Sequence, residues 1–189
     1  MARDKKSSCV EGSAGQNDGS QQPASVWDII QFERNDQLEL CNGMELVADH
    51  LPDDVDIDLY EGIYEKLRRN LPIYHKNEEA LFEQASRHET SWIDWSPVLE
   101  CVRLEHATHN CYADEVYEYL NVLQTRTSIN NPSTIGYMLR SCFYSIRRHL
   151  AWEDLMIIPV VKQVLTSDDL NELFHEINRN RYAIGLNVV

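Results

Sequence analysis

Apolar side chains recur at alternating steps of three and four residues along four long stretches of this chain, and no strand-like alternation competes with them. Such steps bring residues onto one face of an α-helix. The first stretch, about 27–50, carries Ile30, Arg34, Gln37, Cys41, Met44 and Ala48 in line, and Pro52-Asp53-Asp54 ends it. The second, about 56–87, carries Ile63, Leu67, Leu71, His75, Glu79 and Phe82. Pro72 lies inside that pattern and predicts a kink a turn before His75. The third starts at Ser96-Pro97, an N-cap and first-turn pair. It runs to about 126 with Leu99, Val102, His106, His109, Ala113, Val116, Leu120 and Leu123 in one stripe. The fourth runs from Asn131-Pro132-Ser133 to about 164 through Cys142, Ile146, His149, Glu153 and Met156. Thr166-Ser167-Asp168-Asp169 caps a short fifth helix to about 181. Long helices joined by modest loops predict an all-α protein: an antiparallel four-helix bundle with a short extra C-terminal helix.

Residues 1–24 are rich in Ser, Gly, Gln, Asn and Asp, with too little apolar surface to offset the entropy of ordering, so a disordered tail is expected there. Residues 25–189 are enough for one well-buried domain. A net charge of −14 argues against nucleic acid or an anionic membrane as partner, since both recruit basic surfaces. No apolar run reaches membrane-span length, and the basic N-terminal residues are followed by no apolar segment of a signal peptide. Five cysteines, none in a Cys-x-x-Cys, read as reduced core residues plus one in the tail, which suits the cytoplasm.

The chemistry lies in residues that the stripes place inside. His75 with Glu79 and His149 with Glu153 are imidazole–carboxylate pairs four apart, side by side on a helix face. His106 and His109 add imidazoles on the third stripe. A buried His or Glu needs a partner, and a metal ion held by several helices supplies one. Imidazole plus carboxylate suits iron, manganese or zinc.

These residues resemble a hemerythrin-like, HHE cation-binding domain over most of 27–182. His75-Lys76-Asn77-Glu78-Glu79-Ala80-Leu81-Phe82 is similar to the family's second-helix motif, and His149-Leu150-Ala151-Trp152-Glu153 to its fourth. Glu105-His106 is similar to its third-helix pair. The ending Leu165-Thr166 through Asn178-Arg179-Asn180-Arg181 resembles a bacterial branch. The resemblance implies iron, as one ion or a di-iron pair. His106 and His149, with or without His109, would hold one ion and His75 the other, with Glu79 and Glu153 bridging. Counting from His75 selects Glu79; counting back from Phe82 selects Glu78.

One departure stands out. The run Glu33-Arg34-Asn35-Asp36-Gln37-Leu38-Glu39-Leu40-Cys41 is similar to the family's first-helix phrase, with Arg34 where the family has a histidine ligand. A guanidinium keeps its proton and cannot ligate a cation. His50 lies sixteen residues on, about 24 Å along a helix, and does not replace it. The second position is therefore expected to be weakened, empty or completed by Glu33. The resemblance implies binding or sensing of dioxygen, nitric oxide, peroxide or iron. The alternative is a degenerate, metal-free or mononuclear bundle acting as a regulatory or interaction module, with a partner protein or a second copy of the chain.

Overall fold

The structure, a computed structural model, describes residues 25–51, 57–88, 90, 92–124 and 131–186. The tail at 1–24, the helix end at 52–54 and the third helix beyond 124 lie outside the described residues. Every described element is a helix, and five helices pack together. Helix α1 is Val26–His50, with the Ser25 side chain accepting from the Asp28 N–H at its start. Helix α2 joins Ile57–Glu65, Lys66–Asn70 and Leu71–Ser86. Helix α3 is Trp95–Gln124. Helix α4 joins Pro132–Trp152, Glu153–Ile157 and Ile158–Val164, with Asn131 accepting from the Thr134 N–H. Helix α5 is Ser167–Ala183, opened by a capping box between Thr166 and Asp169. The third helix begins ahead of the predicted Ser96 cap, because Asp94 Oδ1 accepts from the Ser96 N–H at 3.0 Å.

Both middle segments are π-turns, in which the N–H bonds reach back five residues, from Leu71 to the Lys66 carbonyl and from Ile158 to the Glu153 carbonyl. Each is followed at the second position by a proline, Pro72 or Pro159. Proline has no N–H, and its ring collides with the carbonyl four residues back. Widening the turn by one residue relieves that collision. Thus Pro72 produces a π-turn in a continuous helix where the sequence predicted a kink.

Neighbouring helices run antiparallel, as their contacts show. Ascending α1, Arg34 meets Leu150, Asn42 meets Arg147 and Ala48 meets Arg140 of α4. Ascending α2, Arg68 meets Tyr117 and Glu83 meets Arg103 of α3. Helix α5 lies across α1 and α2 through Leu173, Ile177 and Arg181.

The interior is stratified. One apolar core holds Leu40, Met44, Leu71, Leu120, Leu139 and Phe143 with their neighbours. A second holds Ile29, Ile30, Phe82, Val102, Ile157 and Val161 with theirs. Between them lies a buried polar layer. Cys41 and Cys142 are buried free thiols, whereas Cys101 and Cys111 are exposed on α3, contrary to their expected core placement; Cys9 lies outside the described residues. No described helix is long and apolar enough to cross a membrane.

Candidate metal centre

The stripes of α1 to α4 deliver Glu33, Arg34, Gln37, His75, Asn77, Glu78, His106, His109, His149 and Glu153 to the polar layer, all buried. One ligand atom from each of Glu78, His106, His149 and Glu153 lies within 4.8 Å of the other three, a group that could hold a metal ion.

The imidazoles are oriented from outside. His106 Nδ1 is 2.8 Å from Glu79 Oε1, and His149 Nδ1 is 2.7 Å from Glu105 Oε2. A carboxylate only accepts, so each Nδ1 carries a hydrogen and the neutral ring has its lone pair on Nε2. Those two Nε2 atoms stand 3.1 Å apart. Glu78 Oε2 lies 3.4 Å from His106 Nε2, and Glu153 Oε1 lies 3.1 Å from His149 Nε2. Neither oxygen has a hydrogen-bond partner. Two lone pairs and two carboxylate oxygens crowded together repel unless a cation, proton or metal, sits among them. Metal bonds of about 2.0–2.2 Å at about 90–109° would put adjacent donors about 2.8–3.6 Å apart. The three separations above fall in that span, so the residues present fit a metal ion.

The outer oxygens of the same carboxylates are taken. Arg34 Nη1 donates to Glu153 Oε2 at 2.5 Å and to Glu78 Oε1 at 3.4 Å. Gln37 Nε2 adds a bond to Glu78 Oε1 at 3.2 Å. Arg34 Nη2 donates to the Leu150 carbonyl at 2.7 Å and pairs with Asp154 at 2.8 Å. Each carboxylate thus turns one oxygen to the guanidinium and the other to the imidazoles.

The electrostatics follow. Burial pushes Glu78 up, but His106, His149 and Arg34 outweigh it and hold the carboxyl well below its usual range. Burial pulls His106 down, but Glu78 and Glu79 outweigh it and raise it to about 9. His149 is likewise raised, by Glu153 and Glu78 against burial. His75 is driven well below its ordinary value by burial and by the charge of His106. His109 falls to about 3 through burial and the charges of His149 and His106.

Among the residues singled out in the sequence, Glu79 changes place. It is half-exposed and accepts from His106 Nδ1, while Glu78 enters the group of four. The reason is packing. The π-turn carries the buried stripe in steps of four through Ile63, Leu67, Leu71 and His75, and the α-helix then continues through Glu78, Leu81, Phe82 and Ala85. Steps of three and four from His75 share a face there, and packing buries the step of three. His75 is buried and stacked on His106 with centroids 4.0 Å apart; neither ring nitrogen has a hydrogen-bond partner, and it lies outside the group of four. His109 is also outside the group, its Nε2 3.2 Å from Ser145 Oγ. Glu33 faces Asn77 and Arg181 instead of the imidazoles. His50 is exposed at the end of α1.

Glu105, read in the sequence only as part of the Glu105-His106 motif, orients His149 from across the α3–α4 contact. Gln37 was legible as a polar residue on a core stripe. The part of Leu150 is played by backbone, which carries no sequence signal. Compared with known proteins, the chain matches no family model, no curated protein and no solved structure.

Proposed function

We propose that this chain is a hemerythrin-like four-helix bundle, α1 to α4 with α5 laid across it, that holds one non-haem iron ion. The ligands in this reading are Glu78, His106, His149 and Glu153. The observation that carries it is the pair of imidazole Nε2 atoms 3.1 Å apart, facing two carboxylate oxygens that lack hydrogen-bond partners. Two imidazoles and two carboxylates suit iron, manganese or zinc; the resemblance is what favours iron among them. Arg34 supports one ion over a di-iron pair: its guanidinium occupies the outer oxygens of both carboxylates.

Iron held there would supply a redox-active centre for binding or sensing dioxygen, nitric oxide or peroxide. The chain's own residues set its surroundings. Glu79 and Glu105 fix the imidazole tautomers, and the two apolar cores keep water from the layer. His75 and His109 stay neutral and add no charge. Elemental analysis of protein expressed with ample iron and purified without chelator tests the reading. One iron per chain is expected; no metal overturns the reading, and two irons overturn its single-ion part.

One observation favours a second reading. Arg34 and a proton on His106 together can balance the charges of Glu78 and Glu153 without any metal. The bundle would then be a structural or regulatory module, and the same elemental analysis decides between the two.

A further inference from the structure

We propose that Arg34 sets the oxidation state of the centre, holding bound iron in the ferrous form. The inference rests on the metal-binding reading above. Arg34 Nη1 touches Glu78 Oε1 and Glu153 Oε2, whose partner oxygens face the imidazoles. The guanidinium is buried, with 4% of its residue surface exposed. A guanidinium keeps its proton at any working pH, so Arg34 brings a fixed positive charge to Glu78 and Glu153.

Two consequences follow for an ion among the four ligands. The carboxylates present one net negative charge, not two, because Arg34 cancels the other. A trivalent ion therefore meets more repulsion than a divalent one, in a layer where screening is weak. Hydrogen bonds from Arg34 also draw electron density from both carboxylates and make them poorer donors to the higher charge. Glu79 and Glu105 act the opposite way through the imidazoles. They sit half-exposed at the rim, where Arg103 at 3.9 Å and Arg148 at 3.2 Å offset them. The buried guanidinium outweighs that rim.

Redox titration of the iron-loaded protein tests this, reading the couple Fe3+ + e− → Fe2+ with mediators. Arg34→Gln is expected to shift the ratio of ferric to ferrous affinity at least tenfold toward ferric, a midpoint lower by about 59 mV or more. Arg34→Lys, which keeps the charge, is expected to stay within about threefold of wild type on the same scale. Titration with Zn2+ alone is expected to show tighter binding in Arg34→Gln than in wild type. If Arg34→Gln does not fold, Asp154→Asn carries the test. Removing that exposed partner of Arg34 leaves more positive charge and should shift the ratio toward ferrous. An unmoved or raised midpoint in Arg34→Gln, or an unmoved or lowered one in Asp154→Asn, overturns the inference while the metal-binding reading stands. Wild-type protein that takes up neither iron nor Zn2+ overturns both.

Discussion

Consecutive residues of α1 feed two arginine–carboxylate assemblies in the same buried layer, and they are finished differently. Glu33 faces α2 and α5, where Oε1 accepts from Arg181 at 2.8 Å and from Asn77 at 2.9 Å, and Oε2 accepts from Asn77 at 3.1 Å. Asn77 in turn accepts from Asn180 at 2.9 Å. Both of its oxygens are used, and the assembly ties three helices together. Arg34 faces the other way, and its carboxylates keep Glu78 Oε2 and Glu153 Oε1 without hydrogen bonds, opposite the imidazole pair. A buried charge built for structure is closed by donors. One built to receive a cation leaves acceptors converging on each other. The contrast separates scaffold from site within a few residues.

The largest expected effect comes from the open assembly. Glu78→Gln or Glu153→Gln should take metal content from one equivalent to none while the helical circular-dichroism signal persists. Retention of a full equivalent in both variants would mean that the two carboxylates are not ligands. Arg181→Met breaks the closed assembly instead and strands Glu33. It should cost about 3–5 kcal/mol of unfolding free energy, read by urea denaturation, with metal content unchanged. A loss of metal in Arg181→Met would erase the distinction between the two regions.

Acidity separates them again. Glu33 is raised to about 7, chiefly by burial, from an ordinary 4.5. A raised folded-state value stabilises below the unfolded value and is lost on passing the folded one. Its contribution should thus fade between 4.5 and about 7. In the metal-free protein, His106 obeys the same sign between 6.5 and about 9. Each window spans about 3 kcal/mol. Denaturation curves across pH should show both declines without metal. Added metal should abolish the upper decline alone, because it replaces the proton on His106. The smallest effect is expected from the imidazole supports: Glu79→Gln or Glu105→Gln should weaken metal affinity by about 10–100-fold, measured by competition with a chelator. Unchanged affinity in both would show that their hydrogen bonds do not position the ligands.

Much of this was legible beforehand, and the failures have separate physical causes. The stripe on α1 from Ile30 through Arg34, Gln37, Cys41 and Met44 to Ala48 is buried throughout, because a regular α-helix keeps one phase. On α3, Val102, His106, His109, Ala113, Val116 and Leu120 are buried for the same reason. On α4 the π-turn shifts that phase by one residue and turns Met156, predicted inside, outward at 60% exposure while Ile157 and Ile158 are buried. On α2, Glu78 and Glu79 both follow the π-turn on one α-helical stretch with His75, where steps of three and four share a face, and packing buries the step of three. Pro72 and Pro159 were visible, but proline can kink, end or widen a helix, and packing decides which. Arg181 sits on the buried face of α5 with Leu173 and Ile177, but its partner Glu33 lies on the first helix, too far along the chain for local pattern to pair them.

The widened turn in α4 has one more consequence, for how this molecule can change. It works as a gear joint between the stretch that carries His149 and the stretch that carries Ile158 and Val161. Winding Glu153–Ile157 as ordinary helix with every residue kept would rotate everything beyond it by about 100°. Ile158 and Val161 would swing out of the second apolar core, whose alignment with the polar layer depends on the wider turn. One residue taken out of the segment would let ordinary helix restore that alignment, so its length and its winding can change only together.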